Sequence, residues 1–90
     1  MAVRVRISPP LQRMTGGTKE VEVTSGTIIS LINDLDKQFP GIGEMISEGG
    51  GIRKFINIYV NDEDIRLLRN EQTAVKDGDE ISIIFAIAEG

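Results

Sequence analysis

The sequence predicts an α+β fold in which one main helix packs on one face of a mixed sheet of four to five strands. Apolar residues alternate with polar ones at residues 3–8 and 20–23 of the 90-residue chain, a spacing typical of strands. Residues 27–39 have their apolar residues at helical spacing instead. The last predicted strand is apolar on both sides, and such strands usually lie in the middle of a sheet.

The first two strands are predicted from this alternation. Apolar residues hold positions 3, 5 and 7, with Arg4, Arg6 and Ser8 between them, so one face of the strand would be buried. Pro9-Pro10 ends the strand, residues 15–17 form a turn, and residues 20–23 alternate again. We therefore expect a hairpin with a long loop.

The main helix is predicted to begin after Thr27, because threonine often caps helix N-termini. Its apolar stripe consists of Ile28, Leu31, Ile32, Leu35 and Phe39. Pro40-Gly41 closes the helix, and residues 42–46 suggest one further short turn of helix. Residues 49–51 are all glycine, and we interpret them as a flexible connector, because a phosphate loop would lead into a helix rather than a strand.

The second half of the chain is predicted to supply the rest of the sheet. Residues 55–60 form a strand, residues 61–64 a polar turn, and residues 65–68 a short edge strand. A hairpin signal at residues 76–79 leads into the final strand, residues 80–86. We expect the first strand to lie beside the last one in parallel. This arrangement is a β-grasp (ubiquitin-like) domain over residues 1–86, followed by a flexible C-terminal tail, residues 87–90.

The composition argues against several classes of function. The chain has no cysteine and no histidine, so it lacks a thiol nucleophile, the usual general base and the commonest metal ligand. Its net charge of −4 argues against nucleic-acid binding. No apolar run could span a bilayer, and no signal peptide precedes the first strand, so we expect no membrane partner and a cytoplasmic location. Turn chemistry explains the acidic residues at 61–64 and 77–80, and we expect neither a metal site nor catalysis.

The sheet face that the helix leaves uncovered is a candidate partner surface. Alternation assigns Arg4, Arg6, Phe55, Tyr59, Ile84 and Ala86 to it. Aromatic, aliphatic and arginine side chains are the types that interface cores favour. The tail residues Ile87, Ala88 and Glu89 would continue this surface towards the chain's last residue.

The last residue, Gly90, is the candidate reactive group. Glycine has no side chain to block a narrow approach, and four extended residues reach about 13 Å beyond a sheet. We therefore expect the carboxylate of Gly90 to enter a pocket of another protein, where it could be activated as an acyl adenylate.

Three stretches give the chain a family resemblance. They are residues 55–66 (FINIYVNDEDIR), residues 76–81 (KDGDEI) and the ending at residues 86–90 (AIAEG). With the element order, they resemble the β-grasp sulfur-carrier proteins, which include the small subunit of molybdopterin synthase and the thiamine-pathway carrier. Residues 55–66 are most similar to the actinobacterial carriers of cysteine biosynthesis.

The resemblance implies a carrier cycle. A ubiquitin-activating-like enzyme would adenylate the Gly90 carboxylate with ATP, and sulfur transfer would convert it to a thiocarboxylate. A separate enzyme would then use the sulfur: the molybdopterin-synthase large subunit, a cysteine synthase or a thiazole synthase. The chain itself would bind no cofactor, and Ile84 would match an apolar docking position of the family.

The sequence departs from the family at Glu89, because members typically end in Gly-Gly. A second carboxylate beside the reacting one adds bulk and like charge near the triphosphate. Two alternatives to the sulfur carrier therefore stay open. One is a β-grasp binding module that docks through Arg4, Arg6, Phe55, Tyr59 and Ile84 without carrying sulfur. The other is a ubiquitin-like modifier conjugated to lysines through Gly90.

Overall fold

The computed structural model describes residues 2–24, 26–49 and 51–85. Its strands are β1 (Val3–Ile7), β2 (Glu20–Val23), β3 (Gly26–Thr27), β4 (Ser47–Glu48), β5 (Gly51–Ile52), β6 (Ile56–Val60), β7 (Glu63–Asp64), β8 (Ala74–Val75) and β9 (Glu80–Phe85). Its helices are α1 (Pro9–Gln12), α2 (Ile28–Gln38) and α3 (Ile42–Ile46), and short 3₁₀ turns span Arg13–Thr15, Ile65–Leu67 and Asn70–Gln72.

The main sheet has the strand order β2-β1-β9-β6-β7 in the described part of the chain. Strands β1 and β9 pair in parallel, with Arg4 opposite Glu80 and Ile7 opposite Ile83. The other neighbours in this sheet pair antiparallel. This topology confirms the α+β, β-grasp prediction, including the central position of the last strand and its parallel pairing with the first.

Helix α2 begins at the predicted cap. The Ser30 backbone N–H donates to Thr27 Oγ1 over 3.3 Å, and the Thr27 N–H donates to Ser30 Oγ over 2.9 Å. This reciprocal pair satisfies donors that the helix start leaves without intrahelical partners. At the other end, the Phe39 N–H donates to Leu35 O as the chain turns into Pro40.

The core lies between α2 and one face of the sheet. It is formed by Ile28, Leu31, Ile32 and Leu35 of α2 and by the alternating residues Val3, Val5, Ile7, Val21, Val23, Ile56, Ile58, Val60, Ile81 and Ile83, all of them buried. Each fully buried aliphatic side chain contributes roughly 1.5–3 kcal/mol relative to an exposed one. The same alternation leaves the opposite face of the sheet outside this core, as expected from the sequence.

Two predicted pairings were wrong. The turn at residues 76–79 does not close a hairpin, because β8 before it pairs with β3 and only β9 joins the main sheet. The predicted edge strand at residues 65–68 is instead a 3₁₀ turn, and the edge strand is β7, two residues earlier. A tight turn at Asn61 and Asp62, both with positive φ, places β7 directly beside β6.

The glycine-rich segment also differs from the prediction. Ser47 pairs with Ile52 and Glu48 with Gly51, so a small hairpin stands where we expected a flexible connector. Gly49 adopts φ +62 in its turn, a conformation that glycine reaches at little cost.

None of the helices in residues 2–24, 26–49 and 51–85 is long and apolar enough to cross a membrane. The predicted boundary between a domain at residues 1–86 and a tail at residues 87–90 lies outside the described residues and stays a prediction.

Candidate functional site

The outer face, meaning the face of the main sheet opposite α2, is crossed by a row of polar side chains. Arg6 pairs with Ser82 in the β1–β9 ladder, and Ser82 pairs with Tyr59 in the β9–β6 ladder. Cross-strand partners project from the same side of a sheet, so these three side chains lie in line. Arg4 lies two residues along β1 from Arg6 and therefore shares its face. The predicted placement of Arg4, Arg6 and Tyr59 is confirmed.

Ile84 contributes an exposed apolar side chain to this face. It pairs with Asn57 across β6 and is 41% exposed, whereas Ile83 beside it is completely buried. The central parts of protein interfaces are more apolar than their rims, so the exposed side chain of Ile84 is a candidate contact. The structure thus places Ile84 where the sequence predicted it.

Ion pairs hold the two arginines of β1 along the sheet. Glu20 lies 3.9 Å from Arg4 Nε and 3.7 Å from Arg6 Nε, and Glu80 lies 3.3 Å from a terminal nitrogen of Arg6. All four side chains are at least 40% exposed, so each pair contributes at most about 1 kcal/mol. These ion pairs therefore hold the two arginines only weakly.

Arg66 is a further cation at this face, and the sequence analysis did not single it out. Its guanidinium donates to Asp64 Oδ2 over 2.7 Å and to Asn57 Oδ1 over 3.1 Å. The side-chain hydrogen bonds from Arg66 lower the pKa of Asp64, and they raise the pKa of Arg66 itself. The signal in the sequence was Asp64 two residues before Arg66, because an Asp that caps a short helical turn can reach both the backbone and the side chain there.

Phe55 does not stand on the outer face. Its ring lies 5.0 Å from the ring of Phe85, and both rings pack against the core cluster. The guanidinium carbon of Arg53 lies 5.9 Å from the centre of the Phe55 ring. Phe55 precedes the first residue of β6, so the alternation that governs the strand does not fix its direction. The predicted placement of Phe55 beside Tyr59 was therefore wrong.

The tail end of the predicted site lies outside the described residues. This applies to Ala86, Ile87, Ala88, Glu89 and Gly90, whose roles stay predictions.

The acidic turns are explained by hydrogen bonding. Asp79 Oδ2 accepts from the Lys76 N–H over 2.8 Å, and Asp79 Oδ1 accepts from Asn61 Nδ2 over 3.0 Å. In residues 2–24, 26–49 and 51–85, no three acidic side chains converge into a group that could hold a metal ion.

The fold and its outer face define a ubiquitin-like β-grasp protein. The sequence profile of the ThiS family matches residues 5–90. The sulfur carrier protein CysO of Mycobacterium tuberculosis is 41% identical over 93 residues, which cover 100% of both chains. The chain belongs to the ThiS family and thus to the ubiquitin-like sulfur carriers, which are generally non-catalytic.

Solved structures agree with this assignment. CysO in the Amycolatopsis orientalis BexX/CysO complex matches with a TM-score of 0.94 and 39% identity, over 99% of this chain and 100% of that one. The small archaeal modifier protein 1 of Methanosarcina acetivorans matches with a TM-score of 0.85 and 28% identity, over 99% and 96% of the two chains. Together with the family match, the relatives favour the sulfur carrier over the binding module and the protein modifier.

Proposed function

We propose that this chain carries sulfur as a thiocarboxylate on its C-terminal residue, Gly90. The observation that supports this proposal most directly is the 41% identity to a sulfur carrier over the whole of both chains. The family match also runs to residue 90 and so includes the Glu89-Gly90 ending.

The proposed chemistry has two steps. The Gly90 carboxylate attacks the α-phosphate of ATP on a ubiquitin-activating-like partner, which forms an acyl adenylate and releases pyrophosphate. A sulfide-level donor then attacks the acyl carbon, so that a C–S bond forms as the C–O bond to AMP breaks. The partner supplies the nucleotide site and its metal and base, while this chain binds no cofactor and performs no catalysis. Because ATP is the cosubstrate, the cytoplasm is the proposed location.

The outer face is the proposed docking surface for these partners. Ile84 offers an exposed apolar centre, and Tyr59 lies in the neighbouring row of the sheet. The same face carries Arg4, Arg6 and Arg66, whose side chains are 57–60% exposed. Such a surface fits a partner that presents an apolar depression with carboxylates at its rim. The Amycolatopsis CysO was solved in complex with a second protein, BexX, which supports docking as a property of such carriers.

The proposed sulfur acceptor is a cysteine synthase. The similarity of the chain to CysO proteins supports this choice over the molybdopterin-synthase large subunit and thiazole synthase. All three acceptors would use the same thiocarboxylate as their sulfur source.

The experiment is reconstitution followed by intact mass analysis. The purified chain would be incubated with the adenylating enzyme of the same organism, ATP and sulfide. We expect a mass change that corresponds to one sulfur-for-oxygen exchange, and a chain that lacks Gly90 is the control. An unchanged mass, despite an enzyme that is active on another carrier, contradicts the proposal. Attachment of the chain to lysines of other proteins would identify a modifier instead.

A further inference from the structure

The end of β1 meets the end of β9 through a side chain. Ser8 follows β1 and is the N-cap of α1, and its backbone carbonyl accepts from the Leu11 N–H over 2.9 Å. The carbonyl of Ser8 is therefore used by the first turn of the helix. Pro9 and Pro10, which come next, have no N–H to offer the sheet.

A regular parallel pairing of β1 with β9 would use the same Ser8 carbonyl oxygen as a hydrogen-bond acceptor. The Ser8 N–H donates to Ile83 O over 3.1 Å, which continues the β1–β9 ladder by one step. In such a pairing, the next hydrogen bond would run from the Phe85 N–H to the Ser8 carbonyl oxygen. Here the Phe85 N–H donates to Ser8 Oγ instead, over 3.1 Å. The hydroxyl of Ser8 thus replaces its carbonyl, so that β1 can end and α1 begin without loss of the bond to Phe85.

Phe85 also contacts residues on the β6 side of β9. It pairs with Ile56 in the β9–β6 ladder, and its ring packs on Phe55. Phe85 is therefore hydrogen-bonded on the β1 side and packed on its other side, and it immediately precedes residues 86–90 in the sequence.

We propose that Ser8 is a positioning residue for the reaction at Gly90, because its hydroxyl holds Phe85, the last described residue before Gly90, at the end of β9. This inference rests on the proposed function. Five extended residues span about 16 Å, so release of Phe85 would change both the reach and the direction of the reacting carboxylate. Misplacement of a reacting group by about 1 Å can reduce a rate by up to about a hundredfold.

The first test measures the contact itself. Amide hydrogen exchange of Phe85, followed by NMR, should become roughly five- to tenfold faster in Ser8→Ala, since one hydrogen bond to that amide is lost. Ser8→Thr keeps the hydroxyl and should restore slow exchange, because threonine tolerates the extended backbone at this position. Unchanged exchange of Phe85 in Ser8→Ala would overturn the inference.

The second test measures adenylation kinetics with the partner enzyme. In Ser8→Ala, kcat should fall about tenfold while KM stays within about twofold, because the outer face still docks. Ser8→Thr should recover kcat. Ser30→Ala is the matched control, since it removes a hydroxyl that bonds to the backbone in the α2 cap, far along the chain from β9, and should change neither constant.

The outcomes separate the two proposals. A Ser8→Ala protein with wild-type kcat overturns the positioning role and leaves the sulfur-carrier proposal intact. An equal fall in kcat for Ser8→Ala and Ser30→Ala also overturns it, because general destabilisation would then explain the loss. If the unaltered chain is not adenylated, the proposed function fails, and the role of Ser8 fails with it.

Discussion

Asn61 and Asp79 join two turns that lie 18 residues apart in the sequence, through a hydrogen bond of 3.0 Å from Asn61 Nδ2 to Asp79 Oδ1. The Glu80 N–H donates back to Asn61 Oδ1 over 3.0 Å, and the Lys76 N–H donates to Asp79 Oδ2 over 2.8 Å. These bonds fix the start of β9 against the turn that follows β6. They connect the Asp77-Gly78-Asp79 turn to the placement of the central strand.

Replacement of Asp79 by Ala should lower the free energy of unfolding by about 1–2 kcal/mol, because the Lys76 backbone N–H and the Asn61 side-chain amide lose their acceptor. Urea denaturation would measure this change. Asp77→Ala is the matched control, since it removes an exposed carboxylate from the same turn and should stay within about 0.5 kcal/mol of the unaltered protein. A smaller effect at Asp79 than at Asp77 would contradict the interpretation.

Because its pKa is lowered in the folded state, the Asp79 carboxylate makes the stability of the protein depend on pH. The Lys76 backbone hydrogen bond and, next, the Asn61 side chain lower the pKa of Asp79 below its ordinary 3.8. The folded state then binds fewer protons than the unfolded state at acidic pH, so this contribution is fully present above the ordinary pKa. It is lost as the pH falls through the lower folded pKa. Between pH 5 and pH 2, the stability of Asp79→Asn should therefore depend less steeply on pH than that of the unaltered chain.

Ile84 and its neighbour Ile83 offer a matched pair of substitutions on opposite faces of β9. Ile84→Asp should leave the fold intact and weaken binding to the adenylating enzyme by about tenfold or more, because an exposed apolar contact becomes a charge. Ile83→Asp should unfold the domain, since it buries a carboxylate in the core. Thermal melts and calorimetric titration would measure both. A collapse of Ile84→Asp would place that side chain in the core.

Substitution of Glu89 should reveal whether charge or bulk limits activation of Gly90. We expect Glu89→Gly to raise the adenylation rate several-fold, because it removes the negative charge and the bulk of the side chain next to the carboxylate that must reach the triphosphate of ATP. Glu89→Gln keeps the size and removes only the charge, so an equal rise in both variants assigns the effect to repulsion. An unchanged or slower rate in Glu89→Gly would contradict both charge repulsion and bulk as limits on adenylation. It would indicate that a cationic side chain of the partner pairs with Glu89.

Phe55→Ala should act on stability rather than on docking. The ring of Phe55 packs with Phe85 against the core, and its loss should lower the free energy of unfolding by about 1–2 kcal/mol. Affinity for the partner should change by less than about twofold when measured on the folded protein. If affinity falls sharply while stability holds, Phe55 belongs to the docking surface after all.

The sequence predicted those parts of the fold in which one periodicity continues over several residues. Alternation in β1 and β9 assigned Val5 and Ile81 to the core and Arg6 and Ile84 to the outer face, because the pleat leaves only two directions. The cap at Thr27 was predictable because its side chain bonds locally.

The wrong predictions concern short elements whose partners are distant in sequence. Strand β8 has two residues, and its pairing with β3, which lies almost 50 positions earlier in the chain, decides that the turn after β8 is no hairpin. Phe55 precedes β6 by one residue, so its direction depends on Phe85. For the site, the sequence placed Ile84 correctly but missed Arg66, because the contact with Asn57 depends on a turn that was predicted as a strand.

The parallel pairing of β1 and β9 makes folding depend on the order of synthesis. Strand β1 has its central neighbour in β9, the last described strand, and Arg6 and Glu80 on these two strands are separated by 74 positions. Contacts of such separation carry a high entropic cost of closure and slow the folding of a small domain. In the main sheet of the described residues, β9 is the strand that joins the β2–β1 pair to the β6–β7 pair. The growing polypeptide therefore cannot complete its fold on the ribosome until β9 has emerged.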